Sequence, residues 1–144
     1  MDLEQLLAER EITRGLIAFA RAMDERDYGT MSALVTPDVH ADFGVGGIDG
    51  RQAVVDFIAS FLDNCGTTQH ILGNILIEID GDTATSEAYV SDMHLSSDPA
   101  SDISFRTLGN YSDTWVKQDG AWLIARRIKD NRAAVGSMDV FDAD

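Results

Sequence analysis

The second half of the chain consists of apolar, β-branched segments separated by two Asp-Gly turn sequences, Asp80-Gly81-Asp82 and Gln118-Asp119-Gly120. Asp-Gly between runs of alternating apolar residues is typical of tight β-hairpins. The pattern therefore predicts a meander of about four long antiparallel strands. They are Thr67 to Asp80, Thr83 to Leu95, Ile103 to Lys117 and Ala121 to Asn131, with a polar loop over residues 96–102.

The first half carries apolar side chains at spacings of three and four residues, as an amphipathic helix requires. This spacing predicts a first helix from Leu3 to about Glu25 and a later helix that opens at Gly50-Arg51. Between them, Asp27 is a predicted N-cap for a short helix through Leu34, which the proline turn that follows should end. A short strand is predicted from Val39 to Phe43.

This order of elements, two helices, a strand, a helix and then a meander, predicts an α+β fold. The helices should cover one face of a curved, mostly antiparallel sheet, giving a half-closed, cone-shaped barrel. The cavity between sheet and helices is a common place for a small-molecule site. Because the chain has no repeat, low-complexity tract or linker, we expect one domain over residues 1–144, with a short C-terminal tail from about residue 133.

The charge balance argues against several classes of partner. The 144 residues include 25 Asp and Glu against 11 Lys and Arg, a formal net charge of −14. Binding to nucleic acid or to an anionic membrane needs clustered basic side chains instead. The single cysteine, Cys65, rules out an intrachain disulfide or a cysteine-based zinc cluster. With no apolar run of transmembrane length and no basic signal-peptide region, we expect a cytoplasmic protein.

Few residues are candidates for chemistry. No phosphate-binding loop, HExxH zinc motif or nucleophile elbow is present, so we expect neither a cofactor nor a metal. Asp24 lies on or beside the buried stripe of the first helix, where an unpaired carboxylate is unusual. It either ends the helix beside Arg26 or pairs with a histidine. A pairing carboxylate would fix the tautomer of the imidazole and raise its basicity.

The three histidines differ in their settings. His70 lies early in the first long strand, where a histidine is more often structural than catalytic. His94 shares the alternating face of its strand with Ala88 and Val90, which indicates a pocket-facing position. His40 follows the proline turn among acidic residues and is interpreted as a surface residue.

Four basic residues cluster on the last predicted strand, Arg126, Arg127, Lys129 and Arg132. The ordinary interpretation is a solvated face that pairs with the acidic surplus. One of them facing inward could instead bind a substrate carboxylate or stabilise an enolate.

Several short segments together resemble the SnoaL-like branch of the nuclear transport factor 2-like superfamily. They are Ala20 to Tyr28, Leu34 to Val39, Gly50 to Val54, Thr68 to Asn74 and Gly120 to Arg127. The resemblance covers nearly the whole chain and implies a cone-shaped α+β barrel with a deep pocket. Family members commonly form dimers or trimers through the sheet, so a homodimer or homotrimer is expected. Leu108 and Val116 would then lie on the covered outer face.

Within this superfamily, the functional parallels are scytalone dehydratase and hexachlorocyclohexane dehydrochlorinase. Both use an Asp on the first helix paired with a His on the first long strand, and Asp24 and His70 match those positions. The resemblance therefore implies Asp24 and His70 as a catalytic base dyad. His94 matches a second pocket histidine of the dehydratase, which implies a hydrogen-bonding or acid/base role.

The resemblance also implies a set of substrate-binding residues. Met23 and Phe43 stand where the dehydratase has two tyrosines that hold a water, and neither can donate a hydrogen bond. Tyr111 stands where the dehydratase has an asparagine in its pocket, and it could supply a phenol donor instead. Scytalone itself is therefore not the expected substrate. Arg127 matches a pocket position of some relatives, provided that a bulge turns it to the apolar side of its strand. Asn74 completes the predicted set.

Together these residues predict a cofactor-independent, dehydratase-like lyase or isomerase that acts on a small, mostly apolar cyclic substrate. His70, oriented by Asp24, would take a proton α to a carbonyl or β to a leaving group. His94 or Tyr111 would donate to the oxygen that gains charge or leaves. Two alternatives remain open: a polyketide cyclase-like or ketosteroid isomerase-like enzyme that uses Asp24 alone, and a non-catalytic module that binds a small ligand.

Overall fold

A computed structural model of the chain describes residues 1–142. The helices are α1 (Leu3–Glu25), α2 (Tyr28–Ala33) and α3 (Arg51–Leu62). The strands are β1 (Val35–Asp42), β2 (Gly47–Asp49), β3 (Thr68–Asp80), β4 (Thr83–Leu95), β5 (Ser104–Gln118) and β6 (Ala121–Gly136). A C-terminal 3₁₀ helix, Met138–Phe141, follows β6. Over residues 1–142, no helix is both long and apolar enough to span a membrane.

The strands form one mixed sheet in the order β2-β1-β6-β5-β4-β3. β1 runs parallel to β6, and the other neighbours are antiparallel. The helices pack against this sheet, with α1 lying on β3, and the sheet does not close on itself. The predicted α+β fold is confirmed, with an open sheet that suits the cone shape.

The first helix begins and ends where its local sequence favours it. The Asp2 side chain accepts a hydrogen bond from the backbone N–H of Gln5, and the Gln5 side chain accepts one from the backbone N–H of Asp2. The buried stripe comprises Ala8, Ile12, Leu16, Phe19, Ala20, Ala22 and Met23. The helix ends at Glu25 and is capped by Arg26, whose backbone is left-handed (φ 56°). Asp24 therefore stands in the last turn, just beyond the buried stripe.

β1 begins earlier than predicted, at Val35, and includes Pro37. A proline cannot donate a hydrogen bond to a neighbouring strand, so it needs an edge or irregular position in a sheet. The pairing of β1 with β6 shifts register between Val35 and His40, an interval that contains Pro37. The proline therefore lies inside an irregular strand rather than in a separate turn.

A bulge in β6 reverses the alternation of its side chains. The register between β5 and β6 shifts between Thr114 and Trp115, which leaves Ala125 as the extra residue. Arg127 consequently lies on the same buried side as Ile124 and is only 3% exposed. The bulge that an inward Arg127 requires is therefore present.

The last strand also exceeds its predicted length. β6 continues well past Asn131, with Ala134 paired to Thr107 of β5. The 3₁₀ helix then brings Phe141 against Phe61 of α3, with 5.3 Å between the ring centroids. Within the expected tail, residues 133–136 are strand and residues 138–141 are 3₁₀ helix, held by backbone pairing and aromatic packing. Residues 143–144 of that tail lie outside the described residues.

Candidate active site

A cavity of about 260 Å³ opens between the helices, the sheet and the C-terminal 3₁₀ helix. Five of the chain's six phenylalanines line it: Phe43, Phe57, Phe61, Phe105 and Phe141. The titratable and polar side chains of its lining are His70, Asp92, His94, Thr107, Tyr111, Lys129 and Asn131. Two other depressions, beside the start of α1 and on the outer face of the sheet, are lined by none of the three histidines. Apolar walls with a few convergent polar groups are characteristic of a small-molecule site.

Asp24 is held by three hydrogen bonds from β3. Its Oδ1 accepts from the Thr68 hydroxyl at 2.9 Å and from His70 Nδ1 at 2.7 Å, and its Oδ2 accepts from the backbone N–H of His70 at 3.0 Å. Burial raises the pKa of Asp24, but the hydrogen bonds from His70 and Thr68 outweigh burial and lower the pKa below the ordinary 3.8. Asp24 is therefore ionised at neutral pH.

This ionised carboxylate fixes the tautomer of His70. A carboxylate without a proton can only accept, so His70 Nδ1 carries the hydrogen and Nε2 keeps a lone pair. The His70 side chain lines the cavity and is only 4% exposed. The imidazole is thus held as a base on the cavity wall, with a carboxylate behind it.

Arg26 connects this dyad to the rest of the fold. Its guanidinium donates to the Thr68 hydroxyl at 2.7 Å, to the Gly66 carbonyl at 2.6 Å and to the Leu62 carbonyl at 3.1 Å. These bonds join the ends of α1 and α3 to the start of β3. The Thr68 hydroxyl that accepts from Arg26 also donates to Asp24, so the guanidinium helps to orient the carboxylate.

His94 lies beside His70 in the cavity, with 5.6 Å between the ring centroids. His94 Nδ1 is 3.1 Å from the Phe105 carbonyl oxygen, which can only accept, so Nδ1 carries the hydrogen of the neutral ring. Burial lowers the pKa of His94 below its ordinary 6.5, although Asp92 raises it in part. The neutral ring therefore presents its Nε2 lone pair, 3.6 Å from Asp92 Oδ2. In this state Nε2 accepts hydrogen bonds and does not donate them.

Tyr111 supplies an inward-facing phenol. Its hydroxyl makes no hydrogen bond within residues 1–142, and burial raises its pKa, so it stays protonated as a donor. Arg127 lies 3.9 Å from the centre of the Tyr111 ring and makes two hydrogen bonds of 2.8 Å to Asp113. Arg127 was predicted to bind substrate, but it does not line the cavity. Its guanidinium is instead bonded to Asp113 and packed on the Tyr111 ring.

The other predicted substrate-binding residues divide between the cavity and the surface. Met23 and Phe43 line the cavity. Asn74 is exposed, has a left-handed backbone (φ 51°) and does not line it. A bulge between Gly73 and Leu76 reverses the alternation of β3 at that point, so the predicted position of Asn74 is corrected to the surface.

Asp92, Thr107 and Lys129 form a buried cluster that the sequence analysis largely missed. Lys129 Nζ donates to the two Asp92 carboxylate oxygens at 3.1 and 3.2 Å and to the Thr107 hydroxyl at 2.9 Å. The Thr107 hydroxyl in turn donates to Asp92. The alternation of β4 could have identified Asp92, because it shares an inward face with His94. Lys129 had been only one of four basic candidates on β6.

Among residues 1–142, the side chains of His70, Asp92 and His94 could together hold a metal ion, since one ligand atom from each lies within 4.8 Å of the others. Two imidazoles and a carboxylate suit several transition metals. Lys129 is already bound to the Asp92 carboxylate, however, so a divalent ion would lie close to an ammonium charge. The set therefore fits an acid–base cluster better than a metal centre.

Known proteins resemble this chain in both sequence and fold. The sequence profile of the SnoaL-like domain matches residues 4–128. An uncharacterised protein of Mycobacterium tuberculosis is 31% identical over 121 residues, which span 83% of this chain and 82% of that protein. A scytalone dehydratase-like protein from Novosphingobium aromaticivorans has a TM-score of 0.84 at 23% identity, covering 92% of this chain and 89% of that one. The hexachlorocyclohexane dehydrochlorinase type 3 from Novosphingobium barchaimii has a TM-score of 0.82 at 16% identity, covering 95% and 94%.

Proposed function

The chain belongs to the SnoaL-like family, and we propose that it is a cofactor-independent, dehydratase-like lyase or isomerase. The observation that carries the proposal is the 2.7 Å hydrogen bond between Asp24 and His70 at the wall of a phenylalanine-lined cavity. A cavity of about 260 Å³ suits a small ligand, because pockets for drug-sized molecules typically measure roughly 300–1,000 Å³. The substrate is therefore a small, mostly apolar ring compound.

In the proposed reaction, His70 Nε2 takes a proton from a carbon of the substrate. That carbon lies α to a carbonyl or β to a leaving group, so that the electron pair of the C–H bond has somewhere to go. Asp24 holds the imidazole in the required tautomer and stabilises the imidazolium that forms. General base catalysis by such a side chain contributes roughly 10²–10⁴-fold to the rate.

Tyr111 is the better donor for the oxygen that gains charge or leaves. Its hydroxyl is protonated and uncommitted within residues 1–142, whereas neutral His94 presents a lone pair from Nε2. The role of His94 is then to accept a hydrogen bond from a substrate hydroxyl. This assignment chooses Tyr111 from the two donors that the sequence left open.

A mechanism that uses Asp24 alone is less well supported. Both Asp24 oxygens already accept hydrogen bonds from Thr68 and His70, and these bonds lower the pKa of the carboxyl group. A carboxylate with a lowered pKa is a weaker base than the imidazole that it orients.

The test begins with a thermal-shift screen of small cyclic ketones, phenols and halides, followed by turnover assays on the compounds that bind. We expect His70→Gln to lower kcat about 10²–10⁴-fold with little change in Tm. His40→Gln is the matched control, because His40 lies outside the cavity and pairs with Asp49. Full turnover by His70→Gln would contradict the dyad. Binding without any turnover by the wild-type chain would favour the non-catalytic module.

A further inference from the structure

Lys129 occupies an unusual place for a lysine, in the wall of the cavity. Its side chain is only 10% exposed, and the carboxylate of Asp92, 3.1 Å away, is 3% exposed. Both residues line the cavity, so the ion pair as a whole stands in the cavity wall. A buried charge is kept in a fold when it is paired, and the Asp92 carboxylate pairs this ammonium group.

The hydrogen bonds of Lys129 leave one donor unused. An ammonium group has three N–H donors at tetrahedral angles. The two oxygens of the Asp92 carboxylate subtend a much smaller angle at Nζ, so a single N–H serves both of them. A second N–H serves the Thr107 hydroxyl. The third N–H has no acceptor in the described part of the chain, and Nζ belongs to a residue that lines the cavity.

The strand register pairs Lys129 with a second residue that carries a free donor. Tyr111 of β5 and Lys129 of β6 are direct cross-strand partners, and both line the cavity. Side chains of directly opposite residues on one face of a sheet are close neighbours. The Tyr111 hydroxyl is likewise protonated and without an acceptor within residues 1–142. Two uncommitted donors, one neutral and one charged, therefore belong to cross-strand neighbours that line the same cavity.

We propose that Lys129 and Tyr111 form an oxyanion-binding pair that selects substrates with an oxygen atom conjugated to the reacting carbon. This inference rests on the proposed function and specifies its substrate class. As the C–H bond breaks, its proton goes to His70 Nε2 and its electron pair moves through the adjacent carbonyl to the oxygen. The resulting enolate or phenolate oxygen accepts hydrogen bonds from the Lys129 ammonium and the Tyr111 hydroxyl. A haloalkane without such an oxygen gains nothing from this pair.

The pair can be tested without knowing the substrate, by use of 4-nitrophenol. Its phenol and phenolate forms absorb at different wavelengths, so the pKa of the bound phenol can be read from absorbance against pH. We expect the wild-type protein to bind phenolate more tightly than phenol, which lowers the pKa of the bound probe. In the double variant Lys129→Met/Asp92→Asn, which removes both charges together, the preference for phenolate should fall about tenfold or more.

Three further variants make the outcome decisive. Asp92→Asn keeps the ammonium and removes the opposing charge, so phenolate preference should be retained or increased. Tyr111→Phe should weaken it. Lys117→Met is the matched control on the other lysine of the chain, which does not line this cavity and should leave the probe unchanged.

Equal phenolate preference in the wild type and the double variant would overturn the proposal, as would a wild-type protein that prefers the neutral phenol. If the double variant does not fold, a loss of phenolate preference in Asp92→Asn would overturn it instead. The probe does not react, so failure of the proposed catalysis would appear separately, as full turnover by His70→Gln with the probe result intact.

Discussion

Two buried ion pairs join the inner faces of β4, β5 and β6, and they differ in what they leave free. Arg127 and Asp113 are 3% and 0% exposed, and two parallel hydrogen bonds of 2.8 Å join them. Lys129 and Asp92 are joined by contacts of 3.1 and 3.2 Å at the cavity wall. The planar guanidinium of the first pair matches the carboxylate on both sides, whereas the ammonium of the second retains a hydrogen.

The two ion pairs therefore have different roles. We call Arg127–Asp113 the sealed pair and Lys129–Asp92 the open pair. The sealed pair helps to hold the Tyr111 ring in place. Its Arg127 guanidinium packs on the rings of Tyr111 and Phe19, at 3.9 and 4.6 Å from their centres. The open pair lies in the cavity wall, where one ammonium hydrogen has no acceptor among residues 1–142. A fold can therefore use similar charges a few residues apart for stability in one case and for recognition in the other.

The largest effect is expected from breaking the sealed pair. Arg127→Met leaves the Asp113 carboxylate fully buried and unpaired, so the free energy of unfolding should fall by about 3–5 kcal/mol. Urea denaturation measures this loss. The double variant Arg127→Met/Asp113→Asn removes the stranded charge and should recover most of it. A loss below about 1 kcal/mol in the single variant would show that the two pairs do not differ in this way.

Breaking the open pair should cost less. In Lys129→Met, the Asp92 carboxylate keeps the hydrogen bond from Thr107 and can reach water through the cavity. We expect the free energy of unfolding to fall by about 1–3 kcal/mol in the same denaturation experiment. A loss as large as that of Arg127→Met would mean that Lys129 also acts mainly as a structural residue.

Acid should lower the free energy of unfolding through His94, which lies beside Asp92 of the open pair. Because burial lowers the pKa of His94 in the folded state, the unfolded state binds more protons once the pH falls below about 6.5. The free energy of unfolding should therefore decrease between neutral pH and about pH 5, and His94→Gln should flatten that slope. The contribution of Asp24, whose pKa is lowered from 3.8, is lost only at more acidic pH. An unchanged slope in His94→Gln would contradict the assignment.

The smallest effect on folding is expected from a substitution on the outer face of the sheet. Leu108, Tyr89 and Ile71 are exposed there by 43%, 47% and 58%, an apolar surface that we predict to be covered in a homodimer or homotrimer. Light scattering after size exclusion should show a mass above that of one chain, and Leu108→Asp should reduce it. Leu7→Asp on α1 is the control. A strictly monomeric wild type would contradict this prediction.

The sequence was informative where alternation and helical spacing are uninterrupted. The regular spacing of α1 placed Asp24 on or beside the buried stripe, whereas its pairing with His70 came from the family resemblance. Asn74 was misplaced because the β3 bulge between Gly73 and Leu76 reverses the face of every later residue. A bulge depends on pairing with the neighbouring strand, which the local sequence does not encode.

The C-terminal region shows the same limit for a different reason. Residues after Asn131 have weak strand propensity of their own, and their pairing depends on β5 lying beside them. Phe141 contacts Phe61, His94 and Phe105, which lie far from it along the chain. Such long-range aromatic packing is a tertiary effect that overrides local preference.

The position of the 3₁₀ helix has a practical consequence for anyone who shortens this chain. The match to the family profile ends at residue 128, but Lys129, Asn131 and Phe141 of the cavity lining lie after it. A recombinant protein trimmed to that boundary would keep the Asp24–His70 dyad and lose a wall of its cavity. A purification tag is better placed at the amino terminus, because Asp2 lies outside the cavity lining, in the depression beside the start of α1.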